Sequence, residues 1–422
     1  MADLKLKVKL KISVVLVTVF CFLLFRNRVQ SLSMEQQPYK TGYHFQPPKN
    51  WINGPVYYKG VYHMFYRYNP YAAVWGNISW AHSISYDLVN WIHLDNALSP
   101  DDSFDINGCW SGSTTVLSDG KPVIRGGSRN LNLGSNNSFN DCDHYVLGNY
   151  MPVTDNFSVD TDFLENGSDL RYDYGKFYAS KTFFDSGKKR RILWGWIPES
   201  DSTTDDIEKG WSGLQWKRSR CSVPKMSASR TRNSRVDLYF KSQALQLLRP
   251  MSNLNEAELM DPSWVDPQLL CSQKTASVRG NVGPFGILAF ASNDLTEQTA
   301  IFFRVFRSTD KYVVLMCSDQ SRSSLREGLK TETYGAFIDI DPLHEKISLR
   351  SLIDHSIVES FGGEGRACIT ARVYPKLAID NQAYLYAFNN GTFDVNISTL
   401  NAWSMKKAQI VSSTKRRKPH LN

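Results

Sequence analysis

The sequence predicts an all-β protein. Short runs rich in β-branched and aromatic residues recur along the chain, and turns containing Gly or Asp join them. "VYYKGVYHMFYRY" is such a pair of strands around Lys59-Gly60, and "SGSTTVLSDGKPVI" is another around Asp119-Gly120. No long stretch places apolar residues at helical spacing. Short hairpins in such numbers form a sandwich, a barrel or a propeller.

The hairpin pattern is interrupted twice. It continues through "GKFYASKTFFDSGKKRRILWGWI", which is again a strand, a turn and a strand. Residues 125–137 are polar and rich in Gly and Asn, and residues 217–235 carry seven Lys or Arg with few apolar side chains. Neither segment can bury a core, so both are expected to be loose. The basic segment lacks interleaved aromatic residues, so we expect no nucleic-acid partner.

A second series of regular strands begins near residue 275. It includes "FGILAFASND", "TAIFFRVFRSTDKYVVLMCSD" and "AYLYAFNNGTFDVNIS". These strands predict a second all-β domain, most simply a two-sheet sandwich. Asp354-His355-Ser356 lies within this domain and has the composition of a catalytic triad. Neighbours on a strand point to opposite faces, so we interpret these three as ordinary strand residues.

Residues 1–33 have the organisation of a secretory signal peptide. An apolar run over residues 12–25 is followed by the small residues Ser31 and Ser33, and four lysines precede it: Lys5, Lys7, Lys9 and Lys11. The run is shorter than the about 20 residues of a membrane span, so we expect a secreted protein without a stable span. Arg26 and Arg28 directly after the run leave open an uncleaved signal that anchors the chain.

Glycosylation sequons and cysteines also fit secretion. Six sequons occur, at Asn77, Asn136, Asn156, Asn166, Asn390 and Asn396. Cys21 lies in the signal peptide, and the six other cysteines are far apart without a Cys-x-x-Cys pair: Cys109, Cys142, Cys221, Cys271, Cys317 and Cys368. This spacing indicates one or two disulfides rather than a metal site, and no cofactor is implied. The net charge of +8 is concentrated near the N-terminus, in residues 217–235 and in the tail. We interpret these basic residues as solvated charges, and the alternative is that they bind an anionic cell-wall matrix.

Several phrases, in order, resemble one enzyme family. They include "HFQPPKNWIN", "VWGNISWAHSISYDLVNW", "FDINGCWSGSTTVL", "LRYDYGKFYASKTFFD", "RRILWGWIPESD" and "SLIDHSIVESFGGEGRACITARVYP". They resemble the plant acid β-fructofuranosidases of glycoside hydrolase family 32, that is, cell-wall invertases and fructan exohydrolases. The resemblance covers about residues 40–124, 138–216 and 240–411. It implies a location in the cell wall and a five-bladed β-propeller at 40–240 that carries the active site, followed by a β-sandwich at 250–411 and a basic tail at 412–422.

The resemblance implies retaining hydrolysis of terminal fructosyl bonds of sucrose or fructans. An Asp nucleophile and a Glu acid/base, placed about 5 Å apart, perform this reaction. In the family the Asp follows Trp-Met/Ile-Asn and precedes Pro-Asn-Gly, whereas here Trp51-Ile52-Asn53 is followed directly by Gly54-Pro55. The family's Arg-Asp-Pro and Glu-Cys-Pro-Asp motifs are absent too. We therefore predict no catalytic residue, an inactive chain and an incomplete propeller of roughly three to three and a half blades.

The resemblance further implies a substrate-binding role for six residues: Asn53, Trp75, Trp110, Ser111, Asp173 and Lys176. Asp173 and Lys176 match a pair that contacts the glucosyl side, which favours an invertase-type ancestor, although inulin-type and levan-type fructans remain open. Binding of sucrose or fructan is expected to be weak or lost. The acids Asp105, Asp173 and Glu199 match family positions that are not catalytic. The alternative function is a secreted, non-catalytic module that binds carbohydrate or a partner.

The resemblance also implies one disulfide, because the family pairs the positions that match Cys271 and Cys317.

Overall fold

A computed structural model describes 13 segments of the chain: residues 37–46, 55–74, 76–101, 106, 108–116, 122–127, 143, 148–151, 153–154, 156–159, 171–218, 233–242 and 256–412. The chain divides into two units, residues 1–40 and residues 41–422, and the second contains all the strands. The signal peptide, the loop with Asn53, Trp75 and the sequons at Asn136 and Asn166 lie outside the described residues.

The first half of the second unit consists of small antiparallel sheets. One has four strands in sequence order, namely β1 (Pro55–Tyr58), β2 (Val61–Tyr68), β3 (Ser79–Ser85) and β4 (Trp91–Leu98). Two strand pairs and a three-stranded sheet follow, formed by β5 (Trp110–Val116), β6 (Pro122–Gly127), β7 (Gly148–Met151), β8 (Asn156–Val159), β9 (Tyr178–Asp185), β10 (Arg190–Ile197) and β11 (Leu214–Arg218). Successive small sheets of this kind are the blades of a propeller. Within the described residues, only the first of them has a full set of four sequential strands.

The turn between β1 and β2 lies where the sequence predicts it. Lys59 and Gly60 have φ of 46° and 84°, which is the paired left-handed conformation of a two-residue hairpin turn. Alternation along β2 then directs Tyr62, Met64 and Tyr66 into one apolar core. This core includes Phe183 and side chains of the first and last sheets, so it joins β1–β4 to β9–β11.

The N-terminal segment of the unit completes the last of these sheets. Phe45 forms an antiparallel bridge with Gln215 at the outer edge of β11, and the Gln215 amide donates to the Phe45 carbonyl at 2.9 Å. The start of the unit and the end of the propeller half are therefore hydrogen-bonded to each other. Edge pairing of this kind removes an open strand edge.

The second half of the unit is the predicted two-sheet sandwich. The first sheet has the order β20-β19-β18-β12-β22, and the second has the order β17-β16-β15-β14-β21, with β13 beside β15. The strand bounds are β12 (Asn233–Ser242), β13 (Glu258–Leu259), β14 (Val282–Ala291), β15 (Thr299–Arg307), β16 (Tyr312–Asp319), β17 (Tyr334–Ile338), β18 (Ile347–Asp354), β19 (Ile357–Gly362), β20 (Ala367–Arg372), β21 (Tyr384–Asn389) and β22 (Val395–Ser404). Phe303, Met316, Leu349 and Ile369 lie in the core between the sheets.

The described part of the chain contains two short α-helices. Helix α1 (Thr203–Lys209) begins at Ser202, whose side chain and that of Asp205 form a capping box, and it ends at Gly210 with φ of 76°. Helix α2 (Pro267–Gln273) begins at Asp266. A disulfide with an S–S distance of 2.03 Å joins Cys271 of α2 to Cys317 of β16, which is the pairing that the family resemblance implies.

The sandwich begins earlier than the sequence suggests. Asn233–Ser242 pairs with β18 on one side and with β22 on the other, so residues before the expected start at 250 already belong to this domain. The expectation that 217–235 is loose is also wrong at both ends, because residues 217–218 lie in β11 and residues 233–235 in β12. Residues 125–127 likewise lie in β6. Backbone pairing in a sheet orders these polar ends despite their composition.

The last described strand does not belong to the sandwich. β23 (Ile410–Ser412) pairs in parallel with β4, beside Trp91 and His93, although the sequence places residues up to 411 in the sandwich. The Trp91 amide also donates to the Gln409 carbonyl at 2.8 Å. Long-range pairing of this kind leaves no local signal in a sequence. The end of the described chain therefore belongs to the first propeller sheet.

Within Asp354-His355-Ser356, only His355 and Ser356 form a turn. Asp354 ends β18, Ile357 begins β19, and His355 has φ of 55°. The turn brings the His355 ring nitrogen Nδ1 within 2.9 Å of Asp354 Oδ1, so two of the three side chains do meet. The interpretation as a strand residue is confirmed for Asp354 and wrong for His355 and Ser356, because a left-handed residue reverses the chain at His355.

Candidate functional site

Two of the six predicted substrate-binding residues, Asn53 and Trp75, lie outside the described residues. Trp110 and Ser111 are the first two residues of β5, and Trp110 lies opposite Gly127 of β6. The structure therefore places these two at the start of a propeller strand. Asp173 and Lys176 lie elsewhere, in the segment that leads into β9, and the contacts of both side chains are defined.

Asp173 lies against the sandwich. Its side chain is buried, at 1% exposure, and Oδ1 accepts hydrogen bonds from the amides of Gly175 at 2.7 Å and Thr370 at 2.9 Å. Oδ2 accepts from the Thr370 hydroxyl at 2.6 Å and from the Cys368 thiol at 3.3 Å. Both carboxylate oxygens are thus engaged. The carboxylate therefore contacts β20, and the glucosyl contact implied for Asp173 stays a prediction.

The backbone beside Asp173 extends the same contact. The amides of Tyr174 and Lys176 donate to the carbonyls of Cys368 at 2.8 Å and Thr370 at 2.7 Å, so this segment covers the edge of β20. Gly175 is required here, because a Cβ would lie 2.1 Å from the Thr370 carbonyl oxygen. Lys176 Nζ donates to the Glu199 carbonyl at 3.0 Å, and burial lowers the pKa of this lysine.

Glu199 is the centre of a second contact between the two halves. Arg372 of β20 binds it with both terminal nitrogens, Nη1 to Oε1 at 2.9 Å and Nη2 to Oε2 at 3.0 Å. The Gly213 amide donates to Oε1 at 2.7 Å, and the Tyr374 hydroxyl donates to Oε2. Burial alone would raise the pKa of Glu199, but the charges of Arg372 and Lys209 outweigh it and hold the pKa below its ordinary value.

Three acids near this ion pair have oxygens within 4.8 Å of one another, namely Glu199, Asp201 and Asp206. The Lys209 ammonium donates to all three, at 3.2 Å to Glu199 and 3.0 Å to Asp206, so the chain's own cation occupies the place that a metal ion would take. Burial alone would lower the pKa of Lys209, but the three carboxylates raise it. This donor set therefore does not fit a metal ion.

His44 forms a third contact. Its Nδ1 lies 2.7 Å from Asp354 Oδ2 and its Nε2 lies 3.0 Å from Glu359 Oε2, with all three side chains almost fully buried. Burial alone would lower the pKa of His44, but the hydrogen bonds with the two carboxylates raise it to about 9. Asp354 also accepts from the amides of Gly42 at 2.6 Å and Tyr43 at 3.0 Å. Burial alone would raise the pKa of Asp354, but the hydrogen bonds to His355 and His44 keep this pKa well below its usual range.

These contacts form a propeller–sandwich interface, which we define by Asp173, Glu199, Arg372, His44 and Asp354. Sequence reasoning assigned sugar binding to Asp173 and missed the role of the others. A signal existed, because Arg372 and Asp354 are charged residues in strands with many apolar residues, "ACITAR" and "ISLRSLID", and both strands are largely buried. Charged residues on buried strands need partners. The partners themselves could not be found, because they lie more than 170 residues away.

The interface predicts an effect of substitution at Asp173. Asp173→Ala leaves two backbone amides and a hydroxyl without their acceptor, and is expected to lower the free energy of unfolding by about 1–3 kcal/mol. Asp173→Asn keeps an acceptor oxygen for the amides and should cost less. Denaturant unfolding of the two variants measures the difference. Equal stability of wild type and Asp173→Ala would show that the carboxylate is not a structural contact.

A propeller of small antiparallel sheets followed by a two-sheet sandwich defines a two-domain all-β protein. Comparison with known families gives this fold a family. Residues 44–130 and 129–217 match the glycosyl hydrolases family 32 N-terminal domain, and residues 218–404 match the glycosyl hydrolases family 32 C terminal domain. The chain belongs to glycosyl hydrolase family 32. The N-terminal domain is matched in two pieces that meet at residues 129–130.

Several relatives of the chain are plant enzymes. The chain is 39% identical over 536 residues to the insoluble β-fructofuranosidase isoenzyme CWINV1 of Arabidopsis thaliana, with 89% of this chain and 92% of the relative covered. It is 38% identical to fructan 6-exohydrolase of Beta vulgaris, covering 90% and 89%. The crystal structure of fructan 1-exohydrolase IIa from Cichorium intybus superposes with a TM-score of 0.77 at 38% identity, covering 90% of this chain and 99% of that one.

The aligned length carries further information. The alignment with CWINV1 spans 536 positions, which exceeds the 422 residues of this chain by 114. At least that many positions of the alignment therefore have no counterpart in this chain.

A relative from Pisum sativum is named a cell wall isozyme. In the described part of the chain, no helix has the length and apolar character to cross a membrane.

Proposed function

We propose that this chain, a family 32 β-fructofuranosidase by descent, has lost the hydrolysis of sucrose and fructans. The observation that carries the proposal is the loop in which Trp51-Ile52-Asn53 is followed by Gly54-Pro55. The resemblance places the nucleophilic Asp between Asn53 and Gly54. Without a carboxylate at this position, no covalent fructosyl intermediate can form by the family route.

The absence of the second carboxylate has independent support. The alignment with a full-length relative contains at least 114 positions without a counterpart here, and the N-terminal domain is matched in two pieces. The pieces meet within the Gly/Asn-rich stretch 125–137, after which the resemblance expects the Arg-Asp-Pro motif and the acid/base Glu. Neither motif occurs in the sequence. A retaining mechanism needs both carboxylates, so restoring the first alone is not sufficient.

Two of the three acids that could substitute, Asp173 and Glu199, are engaged in the propeller–sandwich interface. Asp173 accepts four hydrogen bonds, including two from Thr370, and Glu199 is held by Arg372, Lys209, Tyr374 and Gly213. A nucleophile must reach the anomeric carbon within about 0.5 Å of the productive geometry. Carboxylates fixed by buried donors cannot be recruited without breaking the contact between the two halves.

The activity test uses the secreted full-length chain with sucrose, 1-kestose and a levan-type oligosaccharide at acid pH. We expect no fructose release above a mock purification, while CWINV1 purified in parallel hydrolyses its substrate. Inserting Asp-Pro-Asn between Asn53 and Gly54 should not restore activity. Fructose release by this chain that disappears in Asp105→Ala or Asp173→Ala would show that substitute carboxylates act and would overturn the proposal.

The competing function is a secreted module that binds carbohydrate or a partner without turnover. The positions carried over from the family, Trp75 and Trp110, are the residues that would carry it. Calorimetric titration with sucrose and 1-kestose separates the two functions. Binding that Trp75→Ala abolishes would support the module, and absence of binding by a cooperatively folded chain would exclude this role for those sugars.

We also propose that the chain is extracellular. The signal-like residues 1–33 and relatives named for the cell wall support this location. N-terminal sequencing of the exported chain should show a start after residue 33. A start that retains residues 12–25 would indicate a membrane anchor instead. Release from a cell-wall fraction by salt would show ionic binding to an anionic matrix.

A further inference from the structure

Within the described residues, the sandwich has one strand edge covered by backbone hydrogen bonds, namely β20, where the segment 174–176 lies. Helix α2 lies on the face of β17, where Gly335 is next to Pro267. The opposite edges of the two sheets are β22 and β21. Within the described residues, no strand pairs with the outer side of either.

The open edge on β22 lacks most of the usual protection. Residues 396–402 are all exposed, including Ile397 at 39% and Leu400 at 51%. Neither β22, "VNISTLNAWS", nor β21, "YLYAFN", contains a charged residue or Pro. A register shift opposite Tyr239 and Phe240 is the single irregularity in the pairing of β22 with β12. An exposed, uncharged edge strand is a template for pairing with another chain.

A sequon lies in this edge strand. Asn396-Ile397-Ser398 is within β22, and the Asn396 side chain is exposed. Asn390, the neighbouring sequon, differs, because its side-chain nitrogen donates to the carbonyls of Ala276 and Ser277, both at 3.2 Å. A glycan on Asn390 would replace a hydrogen of the amide group that makes these bonds. Of the two sequons at the open edge, Asn396 is the one whose side chain is directed to solvent.

We propose that an N-linked glycan on Asn396 covers the β22 edge and keeps the chain monomeric. A glycan is bulky and strongly hydrated, so it excludes a second strand from the backbone groups beside it. It takes the protective role that Lys or Pro has on other edge strands. The uncovered strand would pair antiparallel with β22 of a second copy, which closes a two-fold dimer. The inference rests on the secretory route proposed above.

The first experiment uses the full chain secreted from a eukaryotic host. Peptide mass spectrometry should find a glycan on Asn396, with exposed Asn77 as a reference for passage through the secretory route. Enzymatic removal of glycans from the folded protein should then raise its mass in sedimentation to about double, as expected for a two-fold dimer. An unmodified Asn396 beside a glycosylated Asn77 would overturn the inference and leave secretion intact. Absence of glycans at both would contradict the secretory route as well.

Matched variants separate the glycan from the side chain. Asn396→Gln and Ser398→Ala remove the sequon and should both self-associate, whereas Ser398→Thr preserves it and should remain monomeric. Asn77→Gln removes a glycan far from the edge in sequence and should also remain monomeric. Adding Thr399→Lys to Asn396→Gln should restore the monomer, because a charge protects an edge by itself. If Asn396→Gln and Ser398→Ala are as monomeric as Ser398→Thr, the glycan does not guard this edge.

Discussion

Replacing Arg372 with Ala is expected to lower the free energy of unfolding by about 3–5 kcal/mol. The guanidinium is fully buried and binds both oxygens of Glu199, at 2.9 and 3.0 Å. It also donates to the Ser356 carbonyl at 3.0 Å, so it holds the β18–β19 turn as well. Without Arg372, the buried Glu199 carboxylate keeps its contact with the Lys209 ammonium. It loses the two charged hydrogen bonds that Arg372 donates.

The chain contains a control for this substitution. Arg366 contacts Glu345 at 2.6 Å, but the two side chains are 46% and 43% exposed. Water already solvates both groups, so Arg366→Ala should cost less than about 1 kcal/mol. Equilibrium urea unfolding of both variants at neutral pH gives the comparison. Similar losses in the two variants would show that the buried pair does not hold the halves together.

Stability is expected to decrease as the pH rises from about 6.5 towards 9, because His44 is then deprotonated in the folded state. Its pKa is raised from 6.5 to about 9 by Asp354 and Glu359. A raised folded pKa gives stability that is complete below the unfolded value and lost as the pH passes the folded one. The difference corresponds to about 3 kcal/mol. Two rings neighbour His44: Tyr43, whose ring centroid lies 4.7 Å away with the planes tilted by 31°, and His355, which lies beside Asp354.

At acid pH the stability is expected to change in the opposite direction, and it decreases as the pH falls. The pKa of Asp354 is held below its ordinary value of 3.8, so its contribution is present above that value and disappears as the pH falls further. Unfolding measured from pH 3 to 9 should therefore show a maximum between about 4 and 6.5. His44→Gln should remove the decline on the alkaline side. His344→Gln, at a surface histidine with 79% exposure, should retain it. An unchanged alkaline decline in His44→Gln would contradict the assignment.

Local structure was predictable where residues close together in the sequence determine it. The Lys59-Gly60 turn follows from residues that accept left-handed φ, and the sandwich strands follow from their apolar runs. The pairing across the interface was not predictable, because His44 and Asp354 are 310 positions apart in the sequence. The contact of Asp173 with β20 could not be predicted for the same reason, and its sugar-binding role stays a prediction. Resemblance identified the residue, but only the fold shows that Thr370 occupies its carboxylate.

The pairing of β23 with β4 has a consequence for the order in which the protein is made. Ile410 lies beside Trp91 in the first propeller sheet, so this sheet cannot be completed until residues 410–412 have left the ribosome. At the usual rate of about 5–20 residues per second, the outer edge of β4 waits roughly 15–60 s for its partner. The nascent propeller half therefore passes through synthesis with an unpaired strand, and chaperones that recognise such edges have their longest opportunity there.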